Sequence, residues 1–238
     1  MLTNPGSEST TARSAVRGAC INCGASHDGT YCPSCGQPRF VGRHTLRSLV
    51  RGLVERMFNT EAGLTHTVVE LTARPGLMIR EYLAGRTVRY MHPAAYLLVS
   101  AGAFAFCSSV FGGPTGSGGE DRLFAALLIP FVAGASRILF WRGRYNYAEH
   151  LISVMYLSAH VLLILAVLYV AVPLLPGRML ALYATAAITA AAAYFLWGYS
   201  QLFPGRTIRA LLAGVVALLF GALSWAAGII WLVNWLRH

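Results

Sequence analysis

The amino-acid sequence predicts an all-α polytopic membrane protein that carries a small cysteine-bearing module near its N-terminus. Three observations support this fold class. Hydrophobic residues make up 56% of the 238 residues and charged residues only 12%, which is too apolar for an ordinary soluble domain. Five apolar stretches reach or approach the roughly 20 residues that a helix needs to cross a bilayer. Two CxxC pairs precede all five stretches.

The cysteine pairs predict a metal site. Cys20, Cys23, Cys32 and Cys35 form the two pairs, and a glycine directly follows each pair. Four thiolates satisfy a structural, tetrahedral Zn²⁺ and leave no coordination position for a substrate. We therefore expect residues 19–37 to fold as a zinc ribbon with zinc as a structural cofactor. The alternative is a pair of disulfides, which a reducing cytosol disfavours.

The segment between the cysteines and the first apolar stretch predicts three amphipathic helices. In residues 44–58, apolar side chains recur at intervals of three and four, with arginines elsewhere around the helical wheel. Two further amphipathic pieces cover residues 63–74 and 77–84, ended by a Pro-Gly pair and by a glycine. These helices are too short to span a bilayer. We expect them to lie on the membrane surface or to pack on the transmembrane bundle; the alternative is a small soluble subdomain.

Five predicted spans follow this segment. They cover residues 93–111, 123–141, 151–175, 179–203 and 210–236. The predicted domains are a disordered N-terminus at 1–18, the ribbon at 19–37, cytosolic or interfacial helices at 43–90, and a five-helix transmembrane domain at 93–236. Small residues on one face of the last two spans are typical of close helix packing, either within the chain or in a homo-oligomer.

The arginines predict the orientation of the spans. With a cytosolic N-terminus, the inside segments hold the 11 arginines from Arg13 to Arg89 and four more in the loops at 142–144 and 206–209. The outside segments hold only three. This asymmetry agrees with the positive-inside rule. We therefore expect the N-terminus, and with it the ribbon, on the cytosolic side.

The densest group of candidate binding residues lies just before the first span. It consists of Arg74, Arg80, Arg86, Arg89, Tyr90 and His92. At the headgroup level each arginine gains roughly 1 kcal/mol from an anionic surface, and a guanidinium can hold a phosphate through two parallel hydrogen bonds. We expect this surface to bind an anionic lipid headgroup or a cytosolic protein partner. The alternative is that the arginines only set the topology.

A candidate polar track runs along the third span. Its residues are Glu149, His150, Tyr156 and His160. Positions 149, 153, 156 and 160 share one helical face, which leads inward from the cytosolic mouth. An ionisable residue near the bilayer centre, as His160 is here, suggests a functional role. The alternative is a neutral His160 that hydrogen-bonds to a neighbouring helix.

The motif content favours a protein that binds rather than one that catalyses. GxSxG, GKS/T and a strand-linked GxGxxG are absent. Residues 19–37 hold no arginine, so we do not expect nucleic-acid binding. We expect a docking platform with no catalytic residues. The rival hypotheses are a transporter or channel that uses the polar track, and a membrane enzyme on a lipid-linked phosphate with His92 or His150 as acid/base.

Several motifs together resemble a known family. The run YCPSCGQ at Tyr31–Gln37, the run ARPGLMIREYLAGRTVRYMHPAAYLL at Ala73–Leu98 and the run YAEHL at Tyr147–Leu151 resemble the bacterial membrane family called domain of unknown function 3667. In that family further histidines follow the third motif, whereas here His160 is the only later one in the span. The resemblance implies a cytosolic zinc ribbon on a multi-pass protein of the bacterial inner membrane. It implies no established activity.

Overall fold

The computed structural model describes residues 18–56, 61–111, 119–141 and 143–203, together with Val215 and Leu219. The predicted disordered N-terminus up to residue 17 and most of the fifth predicted span lie outside the described residues. The chain divides into two compact units, one up to Val41 and the other from Gly42.

The N-terminal unit contains a small antiparallel sheet. Strand β1 (Gly18–Ala19) pairs with strand β2 (Ser26–His27), and an isolated bridge joins Tyr31 to Pro38. A unit of this size buries too little apolar surface to fold on that basis alone, and chains below about 40 residues usually need a metal or a covalent link. Its stability therefore depends on the chemistry of its cysteines.

The second unit is helical in the part that the structure describes. Its helices are α1 (Leu46–Arg56), α2 (Glu61–Ala73), α3 (Pro75–Leu83), α4 (Pro93–Phe111), α5 (Gly119–Leu139), α6 (Tyr147–Tyr169) and α7 (Gly177–Leu202), with a short 3₁₀ turn at Val172–Leu174. The first three match the predicted amphipathic helices to within two residues at each end. Helices are therefore present at these positions, whereas their amphipathic, interfacial character stays a prediction.

Three of the helical segments are long and apolar enough to cross a membrane. They are Pro93–Phe111, Tyr147–Leu174 and Gly177–Leu202, which correspond to the first, third and fourth predicted spans. The count of five spans is not confirmed. Helix α5 covers most of the second predicted span, and the part of it that the structure describes in full contains the apolar helix Ile129–Leu139. The fifth predicted span lies almost wholly outside the described residues.

The helix ends follow from local sequence. At the start of α1 the Thr45 and Ser48 side chains each accept the other residue's backbone N–H, at 3.1 and 2.9 Å. Asn146 and Glu149 form a full capping box at the start of α6, which satisfies two backbone donors that the helix leaves unpaired. Pro75 occupies the first position of α3, where a missing N–H costs nothing.

Helix α6 is the centre of the second unit. It packs against α2, α3, α4, α5 and α7. Half of the span that contains it is buried inside the protein, compared with 6% of the α7 span. Side chains such as Ile152, Tyr156 and Leu157 are completely buried. The described part of α7 therefore presents most of its surface outward, as a lipid-facing helix does.

Helix α3 crosses α7 at two glycines. A Cβ atom on Gly76 would overlap the carbonyl oxygen of Gly198 and would lie 2.7 Å from the backbone nitrogen of Leu202. The Gly76 N–H also donates to Gln201 Oε1 at 3.1 Å. Because of this close approach, α3 packs directly on the bundle, which is one of the two placements that the sequence predicts.

We predict that Gly76→Ala destabilises the protein by about 1–3 kcal/mol, the usual cost of forcing extra atoms into a packed contact. The new methyl group would meet backbone atoms, which cannot rotate away. Thermal unfolding in detergent measures the effect. The control is Gly102→Ala in α4, where an added Cβ meets nothing within 4 Å; equal melting temperatures for the two variants would contradict the proposed crossing.

Candidate functional site

The four cysteines of the N-terminal unit converge on one point. Their sulfur atoms all lie within 4.8 Å of one another. Cys20 and Cys35 are 3.6 Å apart, and Cys23 and Cys32 are 3.5 Å apart. These separations exceed a disulfide bond of about 2.05 Å and approach the roughly 3.8 Å that tetrahedral geometry imposes on thiolates 2.3 Å from a metal. The cysteines are free thiols in an arrangement that can bind a metal.

Each cysteine pair sits on the same type of turn. Gly24 N–H donates to Cys20 O and Gly36 N–H to Cys32 O, at 2.9 and 2.8 Å. Both glycines have positive φ angles, 78° and 71°, which residues with a Cβ rarely adopt. A hydrogen bond from Asn22 lowers the pKa of the Cys35 thiol. For Cys23 the hydrogen bond from the Ala25 backbone is outweighed by desolvation and by hydrogen bonds with the other three cysteines, which together raise the pKa of its thiol.

An arginine-lined pocket of about 740 Å³ lies at the start of α6. Its charged lining residues are Arg43, Arg74, Arg80, Arg86, Arg144, Glu81 and Glu149, and its other lining residues are Leu77, Leu83, Ala84 and Tyr145. Five guanidinium groups therefore face two carboxylates. The pocket carries excess positive charge beside an apolar wall.

One side of the pocket is held to the cap of α6. Arg43 donates to both carboxylate oxygens of Glu149, at 2.8 and 3.3 Å, and to the Arg144 carbonyl at 2.6 Å. Asn146 Nδ2 donates to the His44 carbonyl at 2.9 Å. The segment that leads into α1 is thereby attached to the N-terminus of a membrane-spanning helix.

Glu81 holds the arginines on the opposite side of the pocket. Its carboxylate accepts hydrogen bonds from Arg74 at 3.2 Å, from Arg86 at 3.3 Å and from Tyr90 Oη at 2.9 Å. Burial alone would raise the pKa of the Glu81 carboxyl, but the Tyr90 hydrogen bond and the two guanidinium charges outweigh it, so the pKa lies below its usual value. Glu81 is therefore ionised at neutral pH.

Two of the lining arginines have no carboxylate partner among the described residues. Arg80 projects from α3 without an ion pair, and the Arg144 guanidinium lies 5.5 Å from the centre of the Tyr145 ring. Arg74, by contrast, also pairs with Glu70 at 2.5 Å. Arg80 and Arg144 are the charges that the described carboxylates leave uncompensated.

The predicted binding surface only partly coincides with this pocket. Arg74, Arg80 and Arg86 line it, whereas Arg89, Tyr90 and His92 do not. Tyr90 and His92 are buried, at 3% and 4% exposure, and Tyr90 acts through its bond to Glu81. Sequence reasoning did not include Arg43, Glu81 and Arg144 in the site. The sequence signal for Glu81 is its position as an acidic residue within the arginine-rich segment 74–92.

The four residues of the candidate polar track belong to different networks. Glu149 pairs with Arg43. His150 Nδ1 lies 2.6 Å from Ser136 Oγ, which also contacts the Tyr199 hydroxyl. Tyr156 donates to the Met91 carbonyl at 2.5 Å. These contacts tie each residue to a separate neighbour of α6.

His160 is 2% exposed and joins α2 to α4. The Thr72 hydroxyl donates to the Val68 carbonyl at 2.8 Å, so it can only accept from His160 Nε2, 3.1 Å away. His160 Nδ1 is then left to accept from the Tyr96 hydroxyl at 2.7 Å. One neutral tautomer therefore satisfies both ring nitrogens. This arrangement agrees with the alternative in which a neutral His160 hydrogen-bonds to a neighbouring helix.

Comparison with known proteins gives one family match. Residues 61–105 match the family described as "Protein of unknown function (DUF3667)". The predicted family resemblance is confirmed over this segment. The segment contains α2, α3 and the first part of α4, and so includes the α3 side of the pocket with Glu81. No curated protein and no solved structure gives a significant match.

We predict that Glu81→Gln destabilises the protein by about 1–3 kcal/mol at neutral pH, because charged hydrogen bonds are worth that much. The folded-state pKa of Glu81 is depressed, so its carboxylate stabilises the fold above the unfolded pKa, and this contribution is lost as the pH falls through the folded pKa. Unfolding midpoints measured from pH 7 down to pH 3 should therefore fall less steeply in the variant.

The control for this experiment is Glu70→Gln. Among the described residues the Glu70 carboxylate accepts from Arg74 alone, whereas Glu81 accepts from three donors, so the Glu70 variant should lose less stability. A Glu70 variant as unstable as the Glu81 variant would show that Glu81 has no special role.

Proposed function

We propose that this protein binds the phosphate of an anionic lipid headgroup in the arginine-lined pocket. The observation that carries the proposal is the charge of the lining: five guanidinium groups face two carboxylates, and Arg80 and Arg144 have no carboxylate partner among the described residues. Guanidinium groups match phosphate oxygens in a planar, bidentate geometry. A phosphate would supply the counter-charge that the described carboxylates do not.

The position of the pocket supports a lipid as the source of this phosphate. Arg144 and Glu149 lie at the start of the Tyr147–Leu174 membrane-spanning segment, where headgroups meet the ends of spans. Leu77, Leu83 and Tyr145 line the same pocket and give the apolar part of a lipid a surface to contact. We further propose a bacterial inner membrane and a cytosolic N-terminus, which the arginine distribution favours.

The rival functions receive less support from the geometry. The enzyme hypothesis uses His92 or His150 as the acid/base, and neither residue is among the described residues that line the pocket. A transporter needs a continuous polar path, whereas Glu149, Tyr156 and His160 each bond to a different neighbour. Binding is the function for which the pocket is best equipped.

The N-terminal unit favours a second function, docking of a cytosolic protein. Phe40 and Tyr31 are 87% and 63% exposed, and aromatic side chains are enriched at the centres of protein interfaces. This partner remains a prediction.

The metal that we propose for the four cysteines is zinc. A closed set of four thiolates suits Zn²⁺, which accepts tetrahedral sulfur ligands without redox chemistry. Free sulfurs 3.5 and 3.6 Å apart support this choice over disulfides. Bound zinc would provide the folding free energy that the small unit lacks.

We predict that replacing the two uncompensated arginines weakens binding of anionic lipid. The variant Arg80→Gln with Arg144→Gln removes two charges, each worth roughly 1 kcal/mol at an anionic surface, so the affinity should fall by more than about tenfold. Native mass spectrometry of the protein in neutral detergent, titrated with short-chain phosphatidylglycerol or phosphatidylcholine, measures the effect. Inorganic phosphate added as a competitor tests for a soluble source.

The matched control is Arg47→Gln with Arg178→Gln. It removes the same charge from exposed positions outside the pocket. Equal losses in the two double variants would show that binding follows net charge alone. Absence of binding of both phosphatidylglycerol and phosphatidic acid by the folded wild-type protein would also overturn the proposal.

We predict about one zinc ion per chain in the purified protein, because the four thiolates form one closed site. Elemental analysis measures it. Cys23→Ser should lose the metal, whereas Cys107→Ser, which changes the free cysteine in α4, should retain it. Two disulfides, or iron in place of zinc, would refute the assignment.

A further inference from the structure

The charge pattern of the pocket defines the ligand more closely. We infer that the pocket selects a phosphomonoester over a phosphodiester. This inference rests on the proposed function, because it names the class of phosphate that the arginine-lined pocket would hold. It depends on which arginines are already paired, on the apolar part of the lining and on the ionisation of Glu81.

The ion pairs leave two arginines uncompensated. Among the described residues, three carboxylates pair with three guanidinium groups: Arg43 with Glu149, Arg74 with Glu70 and Glu81, and Arg86 with Glu81. Arg80 and Arg144 remain. A phosphodiester carries a single negative charge, whereas a phosphomonoester carries about −1.5 to −2 at pH 7. The monoester is the phosphate whose charge matches two free guanidinium groups.

The number of acceptor atoms leads to the same ligand class. A phosphomonoester has three terminal oxygens and a phosphodiester has two, because the second ester bond occupies one oxygen. Each guanidinium presents a planar fork of donors. Two guanidinium groups that each bind through two parallel hydrogen bonds donate four hydrogen bonds in all. Three terminal oxygens can accept these four hydrogen bonds with less crowding than two oxygens can, so the monoester is the better acceptor.

The net charge of the lining also favours the more highly charged ligand. Glu81 and Glu149 repel any anion that enters, and the depressed pKa of Glu81 keeps it charged at neutral pH. The five arginines of the lining outnumber these two carboxylates. By Coulomb's law attraction and repulsion both scale with the charge of the ligand, so a dianion gains about twice the net attraction of a monoanion.

The apolar lining indicates that the phosphate is attached to an organic group. Leu77, Leu83, Ala84 and Tyr145 share the pocket with the arginines. Free inorganic phosphate would leave that surface uncovered. A lipid with a terminal phosphate, such as phosphatidic acid, and a soluble phosphomonoester such as glycerol phosphate share the required chemistry.

The experiment compares two lipids that differ only in the headgroup. Protein in neutral detergent is titrated with short-chain phosphatidic acid and with short-chain phosphatidylglycerol, and native mass spectrometry gives both affinities. At pH 7.5 we expect phosphatidic acid to bind at least about fivefold more tightly, the effect of one further charge at an anionic contact. The preference should shrink as the pH falls below about 6, the second pKa of a phosphomonoester.

Competition with glycerol phosphate identifies the source of the ligand. If glycerol phosphate displaces phosphatidic acid at comparable concentration, the recognised ligand is a soluble phosphomonoester. If it does not, the acyl part contributes and the ligand is a lipid. Displacement would therefore support selection of the monoester directly, and without displacement the selection is decided by the comparison of the two lipids.

Single variants test the two arginines. Arg80→Gln and Arg144→Gln should each remove the preference for phosphatidic acid, and Arg47→Gln, which changes an exposed arginine outside the pocket, should keep it. Arg80→Lys retains the charge but loses the planar fork, so it should bind both lipids with a reduced preference. A preserved fold is checked by circular dichroism and melting temperature.

Two negative results are distinguishable. Equal affinity of the wild-type protein for phosphatidic acid and phosphatidylglycerol overturns the selection of a monoester and leaves lipid binding intact. Binding of neither lipid overturns the proposed function as well. A preference that survives in both Arg80→Gln and Arg144→Gln shows that other residues select the headgroup.

Discussion

The close approach of α3 to α7 fixes the position of the arginines. Neither Gly76 nor Gly198 has a Cβ atom, so backbone meets backbone and the Gly76 N–H reaches Gln201. Lipid provides no hydrophobic drive between helices, and close van der Waals contact is what holds such a crossing together. Because α3 is held at its first turn, its later residues Arg80 and Glu81 reach the pocket at the start of α6.

In the pocket, the carboxylates are more buried than the arginines that pair with them. The carboxylates of Glu81 and Glu149 are 23% and 6% exposed, whereas the arginines that pair with them are between 41% and 64% exposed. Buried carboxylates that accept several hydrogen bonds are costly to disturb, so these pairs position the lining. These arginines keep part of their surface exposed, so a role in membrane topology and a role in binding an anion are compatible hypotheses for them.

The sequence predicts the helices better than it predicts the site. The intervals of three and four, the Pro75–Gly76 break and the cysteine pairs are local signals, and the structure agrees with each of them. Arg43, Glu81 and Arg144 meet in the pocket from three distant parts of the chain, and no periodicity encodes a contact across about a hundred residues. The polar track shows the same limit. Helical spacing correctly places residues such as Tyr156 and His160 on α6, but the neighbouring helices decide their partners.

The segment that matches the family model contributes only part of the pocket. Residues 61–105 contain Glu81, Arg80 and the glycine at the α3–α7 crossing, but Arg43 and Arg144 lie on either side of the matched segment. Glu81 without Arg43 would still organise Arg74 and Arg86, because those pairs form within the segment. The charge that remains for a ligand, however, includes Arg144, which the α6 cap and the Arg43 contact hold in place. The proposed anion binding would therefore depend on the association of α3 with the start of α6, rather than on the matched segment alone.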